Sequence, residues 1–239
     1  YLLYDLGVLA TGPFPSQMWY SNPKVAPIPY DPQRARELLA EAGWKDSDGD
    51  GVLDKDGKPF RFVLMTNNGN VLRQNIAVLV QRQLKEVGIV VEVELYEWSV
   101  FIRDKINARN FEATVLGWSL GLDPDIYEIW HSSQKDKGFN FIGYENPEVD
   151  RLIEQGRSEY DVEKRKKIYF RIHELIHQDQ PYTFLYVPES TPAMHRNEFV
   201  IKRVDGDGKV SLEEIKMTEI GLTYFINKWV RTDGKVITK

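Results

Sequence analysis

The chain has 239 residues, of which 42% are hydrophobic and 12% aromatic, enough to bury one large core or two modest ones and too many for a disordered polymer. A formal net charge of -5, with both signs mixed along the chain, provides no basic footprint for nucleic acid or an anionic membrane surface. The absence of cysteine excludes disulfides, thiolate nucleophiles and cysteine metal sites, and leaves the compartment open.

No apolar run approaches the length of a membrane span. The chain opens on Tyr1-Leu2-Leu3-Tyr4 without an initiator methionine, so a cut or processed chain is expected, with any address segment out of view. From Thr11 to Pro29, the residues Pro13, Pro15, Pro23, Pro27 and Pro29 stand among aromatics, which disfavours helix and predicts an extended connector. At Tyr30-Asp31-Pro32 the pattern changes. Asp31 can cap a helix, Pro32 suits its first turn, and Ala35, Leu38, Leu39 and Ala42 recur at helical spacing up to Gly43.

After an acidic, glycine-rich loop, the spacing predicts a strand over 60–65, a helix over 71–87 ended by Gly88, and a strand over 89–95 in which Val91, Val93 and Leu95 alternate with Glu92 and Glu94. A short helix follows over 99–107, with Phe101, Ile102 and Ile106 on one side, then a strand over 111–118. Strand alternating with helix implies a mainly parallel sheet covered by helices, an α/β fold. Two more helices are expected over 147–155 and 162–178, the second capped by Asp161 and stopped by Pro181, and then a buried strand over 182–187. The segment 221–230 is apolar and aromatic but has no evident partner in the chain. There is no internal repeat and no low-complexity tract.

Three short motifs carry chemistry. His173-Glu174-Leu175-Ile176-His177 matches HExxH, in which two imidazoles one helical turn apart bind zinc and the glutamate activates water. This makes a zinc metallopeptidase the rival reading, although Glu189, His195 and Glu198 lie at no recognised third-ligand spacing. Its structural alternative is a helix whose Ile168, Ile172, Leu175 and Ile176 face the core, flanked by the histidines. Asp46, Asp48, Asp50 and Asp54 alternate with glycines as in the start of a calcium loop, but Gly57 stands where the bidentate glutamate belongs. A structural calcium and a metal-free polar turn both fit that pattern. Asp205-Gly206-Asp207-Gly208 with Glu214 imitates the later part of such a loop. Arg203 occupies its first ligand position, which favours a plain turn.

Larger strings carry a family resemblance. Tyr30-Asp31-Pro32 running into Leu38-Leu39-Ala40-Glu41-Ala42-Gly43-Trp44, then Gly117-Trp118-Ser119-Leu120-Gly121-Leu122-Asp123-Pro124-Asp125, then Tyr144-Glu145-Asn146-Pro147-Glu148-Val149-Asp150 together resemble family 5 of the bacterial extracellular solute-binding proteins. These are the oligopeptide, dipeptide and nickel receptors of ABC importers. Gln180-Pro181-Tyr182 and Leu185-Tyr186-Val187-Pro188 follow in the order that family shows.

The resemblance implies a periplasmic-binding-protein-like fold (type II, cluster C), with this chain supplying most of the carboxy-terminal lobe. Residues 1–29 would be a connector belonging to the other lobe, 30–200 the α/β ligand-binding lobe, and 201–239 a tail returning to the first lobe. It implies a receptor, not an enzyme, that works in the periplasm or extracellular space at the membrane periphery, with any lipid anchor on a segment outside this chain. Such a receptor passes peptides or a similar polar oligomer to ABC permease subunits and needs no cofactor.

Ligands of open α/β sheets bind beyond the carboxyl ends of the strands, which directs attention to the loop of Trp118, Ser119, Gly121 and Asp123. Trp98 and Asn140 extend the candidate set, with Trp130 and Asn67 behind them. In peptide-binding relatives an aspartate at the third position after the tryptophan meets the ligand's ammonium group. Here that position is Gly121, so either Asp123 takes the role or the ligand is an oligosaccharide or another polar solute. A tryptophan at a strand end also serves simply as core, and Asp-Pro-Asp before a helix as an ordinary cap.

Overall fold

The computed structural model describes residue 3 and residues 6–189, 199–204, 207–213 and 229–231, and the chain divides into two units, Tyr1–Pro188 and Glu189–Lys239. The first unit begins with β1 (Gly7–Leu9), the proline-rich stretch and α1 (Pro32–Glu41). The small hairpin of β2 (Asp54–Lys55) and β3 (Lys58–Pro59) leads into β4 (Arg61–Asn67), α2 (Val71–Lys85) and β5 (Val90–Tyr96). A short α3 (Trp98–Val100) runs on as a π-helical turn over Phe101–Ile106 and is followed by β6 (Ala113–Thr114). Helices α4 (Tyr127–Trp130), α5 (Pro147–Ser158) and α6 (Val162–Asp179) and strand β7 (Tyr186–Pro188) complete the unit.

Strands β5, β4 and β6 form a parallel sheet with β4 at its centre, in the register Asn67 opposite Tyr96 and Leu64 opposite Ala113. Leu64, Met65, Thr66 and Asn67 are all buried, the continuous pattern of a parallel strand covered on both faces. The period of two separates its neighbours. Leu64 packs with Ile76, Ala77 and Val91 under α2, whereas Met65 packs with Phe101 and Ile106 of the π-helical turn.

Helix α2 starts where the Asn70 side chain accepts the Arg73 backbone N–H at 3.0 Å and stops before Gly88, which sits at φ +82°. A Cβ at Gly88 would also lie 2.8 Å from Leu53 Cγ, so the turn is both left-handed and tightly covered. The predicted strand over 111–118 is reduced to Ala113–Thr114. Val115 still donates its N–H to Met65 O at 2.9 Å, but its carbonyl accepts the Thr66 hydroxyl at 3.0 Å. A side-chain donor thus occupies the carbonyl that would continue the ladder, and the chain leaves the sheet at Leu116.

A second core gathers α4, α5 and α6 around Ile129, Trp130, Val149, Ile153, Ile172 and Ile176, and it includes Phe14 and Tyr20. The proline-rich segment is therefore not a free connector. Phe14 is 1% and Tyr20 0% exposed, each edge-on to the other at 5.2 Å, so residues 11–22 are integral to this unit. The strand expected over 182–187 is confined to Tyr186–Pro188, which pairs antiparallel with β1. Tyr182 and Phe184 instead pack on the Trp130 ring at 4.7 and 6.2 Å.

In the second unit, β8 (Phe199–Val204), β9 (Val210–Glu213) and β10 (Trp229–Arg231) form an antiparallel sheet in the order β10-β8-β9. The segment expected to lack a partner thus contributes Trp229 and Val230, opposite Ile201 and Val200, while residues 221–228 lie outside the described residues. Asp207 and Gly208 fall between β8 and β9, where a turn is expected, while Asp205, Gly206 and Glu214 lie outside the described residues.

Candidate functional site

The carboxyl ends of β4 and β5 and the chain leaving β6 form one rim. Asn67, the last residue of β4, is buried, and its Oδ1 accepts Arg73 Nη1 at 2.8 Å. The same guanidinium lies 5.7 Å from the ring centre of Trp98, which opens α3 beyond the end of β5. On its other side a Cβ at Gly117 would lie 4.0 Å from Arg73 Nη2. Next in the chain, Trp118 stacks on Phe141 at 6.0 Å with the rings 6° from parallel, and Arg109 covers Phe141 at 5.6 Å. Burial pushes the Tyr182 phenol up from its ordinary range, against the opposing influence of the Trp118 indole. Trp98, under the Arg73 guanidinium, is 47% exposed, and Trp118, on the Phe141 ring, is 40% exposed, so both indoles present surface to solvent.

The remaining predicted residues separate. Ser119 and Gly121 are exposed in the loop beyond Trp118. Asp123 is turned to α6, where Arg165 Nη1 and Nη2 meet its two oxygens at 2.8 and 2.9 Å, and Oδ1 also accepts the Asp125 N–H. This fork holds the Asp123 carboxyl below the usual carboxylate range. Arg165 Nε in turn donates to Gly156 O at 2.8 Å, which ties the loop to both long helices. Asn140 is fully buried, and its side chain bonds the His131 and Tyr144 carbonyls and the Tyr144 N–H, so it shapes the turn from inside. Trp130 is core, packed against Tyr144, Tyr182 and Phe184. The predicted set omits Arg73, Phe141 and Phe139, whose ring centre lies 5.9 Å from that of Trp118. The carboxyl-end rule, applied to β4 as well as β6, points to Asn67-Asn68-Gly69-Asn70 and the helix turn after it, where Arg73 sits.

Both histidines of HExxH are engaged by the amino-terminal segment. His173 is fully buried, its Nδ1 accepts the Asn22 backbone N–H at 3.1 Å, and its Nε2 meets Thr11 Oγ1 at 3.0 Å. An N–H can only donate, so Nδ1 is the bare nitrogen and Nε2 carries the proton. Gly12 closes over the ring, where a Cβ would come within 2.4 Å of Cδ2. His177 Nδ1 donates to Thr11 O at 2.7 Å, and Glu174 accepts the Asn22 amide at 2.8 Å. Zinc would need a lone pair from both imidazoles, and His173 has none to give, since its Nδ1 lone pair takes the Asn22 N–H and its Nε2 carries the proton, so the string acts as a clasp for residues 11–22. His195 and Glu198, two of its nominal third ligands, lie outside the described residues.

The acidic loop brings Asp46, Asp48 and Asp50 oxygens within 4.8 Å of one another. Asp54 is not in that group, because its Oδ2 accepts the Ser47 N–H and hydroxyl at 2.9 and 2.6 Å. Asp46 accepts the Gly49 and Gly51 N–H groups, Asp48 that of Asp50, and Asp50 that of Val52. Those bonds account for the carboxylates as turn formers.

The family model for bacterial extracellular solute-binding proteins, family 5 (middle), matches residues 1–140. The chain belongs to this family. It is 47% identical over 187 residues to the oligopeptide-binding protein AppA of Bacillus subtilis (strain 168), an alignment covering 76% of this chain and 34% of that protein. The solved structure of that AppA in complex with a nonapeptide is similar at a TM-score of 0.77 and 39% identity, over 97% of this chain and 44% of the other. NikZ of Campylobacter jejuni, in complex with Ni(L-His), is similar at a TM-score of 0.72 and 25% identity, over 95% of this chain and 44% of the other. The chain thus spans about a third of the length of the curated relative, 34%. The periplasmic-binding-protein-like α/β fold expected from the sequence is the fold observed. Family 5 solute-binding proteins are periplasmic or extracellular substrate-binding proteins, and among the described residues no helix is long and apolar enough to cross a membrane.

Proposed function

We propose that this chain forms one wall of a receptor that captures peptides or a similar polar oligomer outside the cytoplasm and delivers them to the permease subunits of an ABC importer. Its chemistry is binding without bond cleavage, and a lipid anchor on another segment would hold it at the membrane. The observation that carries the reading is the rim at the sheet's carboxyl end, where Trp98, against Arg73, and Trp118, against Phe141, stay half exposed. Aromatic faces with few fixed polar groups suit a flexible ligand. They supply contact area at little entropic cost, and closure of a second wall would remove water from the polar contacts. Indole faces also suit sugar rings, so the test includes both classes.

The test is a ligand-induced thermal shift on the complete protein with peptide and oligosaccharide pools in parallel, since a ligand that binds only the folded state raises its melting point. A shift with peptides alone is the expected result. A shift with oligosaccharides alone replaces the ligand class, and peptide cleavage that depends on added zinc overturns the receptor reading.

A further inference from the structure

The turn from β4 into α2 places an asparagine directly before a glycine, Asn68-Gly69, a pair that occurs nowhere else in the sequence. The neighbouring asparagines are engaged. Asn67 donates its side-chain amide to Asn68 O at 2.8 Å while its Oδ1 accepts Arg73 Nη1, and the Asn70 side chain accepts the Arg73 backbone N–H as the cap of α2. Asn68 is exposed and held only through its backbone, whose N–H donates to Tyr96 O at 2.7 Å. Among the described residues its side-chain amide meets no partner and the Gly69 N–H meets no acceptor. Gly69 takes φ +79°, and a Cβ added there would meet nothing within 4 Å, so the space beside the turn is open.

A main-chain nitrogen can attack the side chain of the asparagine before it when its proton is free to leave, the amide carbon is free to swing toward it, and no side chain crowds the approach. All three conditions meet at this turn. We propose that Asn68 is a site of spontaneous deamidation. The Gly69 nitrogen loses its proton to hydroxide and bonds to Asn68 Cγ. The Cγ–Nδ2 bond then breaks, and the leaving nitrogen takes a proton from water and departs as ammonia, which leaves a five-membered succinimide and restores the hydroxide. Water opens the ring in one of two ways. Breaking the bond from nitrogen to Cγ gives aspartate, and breaking the bond from nitrogen to the main-chain carbonyl carbon gives isoaspartate, in which the chain runs through the side-chain carbon. Nothing is oxidised or reduced. Residues 62–72 carry no charged side chain, so either product puts a first carboxylate on this stretch, at the carboxyl end of β4 and ahead of Arg73. Isoaspartate also inserts a main-chain carbon between buried Asn67 and the cap Asn70. The chemistry involves no ligand and stands apart from the receptor reading.

The test incubates the complete protein for several weeks at mildly alkaline pH, beside a sample at mildly acidic pH, and follows its tryptic peptides by mass spectrometry. The peptide Phe62–Arg73 contains Asn67, Asn68 and Asn70 and so carries its own controls. The expected result is exchange of an amide for a carboxyl group at Asn68, about 10-fold or more faster than at Asn67 or Asn70, whose side-chain bonds must first break. The product is expected as a mixture of aspartate and isoaspartate, distinguished by electron-based fragmentation, and to form faster in the alkaline sample. Asn68→Gln is expected to abolish the change, because ring closure from the longer side chain is far slower, and to melt with the parent, because the replaced side chain is exposed and unbonded. Asn68→Asp marks where the aspartate form elutes on anion exchange. No change at Asn68, equal change at all three asparagines, change at Asn68 only in urea-unfolded protein, or aspartate without isoaspartate each overturns the assignment.

Discussion

The bare Nδ1 of His173 exists only while the imidazole is neutral, because a protonated ring would turn a donor toward the Asn22 N–H. Burial, with His177 beside it, lowers its pKa to about 4, against opposing contributions from Thr11 and Glu174. Above pH 6.5 both folded and unfolded states are neutral and the clasp contributes fully. As pH falls from 6.5 toward 4 the unfolded chain takes up a proton that the folded one refuses, so stability declines over that window by roughly 3 kcal/mol. Thermal unfolding between pH 7 and 4 should show that decline, and His173→Gln should flatten it. The string was legible as a motif, but its role was not. HExxH records which side chains share a helix face, and nothing in it records that Thr11, Gly12 and Asn22 would arrive there. The Asp123–Arg165 fork is partly exposed, so Asp123→Asn should cost only about 1 kcal/mol in denaturant unfolding.

Elements formed where the pattern is local. The cap at Asn70, the apolar spacing of α2, the stop at Gly88 and the Val/Glu alternation of β5 all lie within a few residues of the structure they specify. Asn70→Ala should lower stability by about 1 kcal/mol. Gly88→Ala should cost roughly 2 kcal/mol or more, from the left-handed backbone and the Leu53 contact together. Both are read as shifts in the unfolding midpoint at unchanged slope. Where a competing partner is distant in sequence, periodicity misleads. The alternation over 111–118 continues past Val115, but the Thr66 hydroxyl from β4 takes its carbonyl and ends the strand. Tyr182 and Phe184 satisfy a strand pattern and instead pack on Trp130.

At the scale of the first unit, the parallel sheet and the α4–α6 core are the architecture that strand-helix alternation and paired helices implied. The expectation of an extended connector over 11–29 rested on proline content, which disfavours helix but does not prevent Phe14 and Tyr20 from filling a core. The rim was legible through Trp118 and Trp98. Arg73 was hidden because an arginine in the first turn of an amphipathic helix has the same sequence signature whether it faces solvent or a ligand. If the rim is one wall of a ligand cleft, its exposed indoles carry binding energy and contribute little to folding. The most direct test is calorimetric titration of the complete protein and its Trp118→Ala variant with a peptide pool. The account predicts an affinity loss of about 10- to 100-fold with a melting point changed by only a few degrees. Unchanged affinity in a folded variant would contradict it.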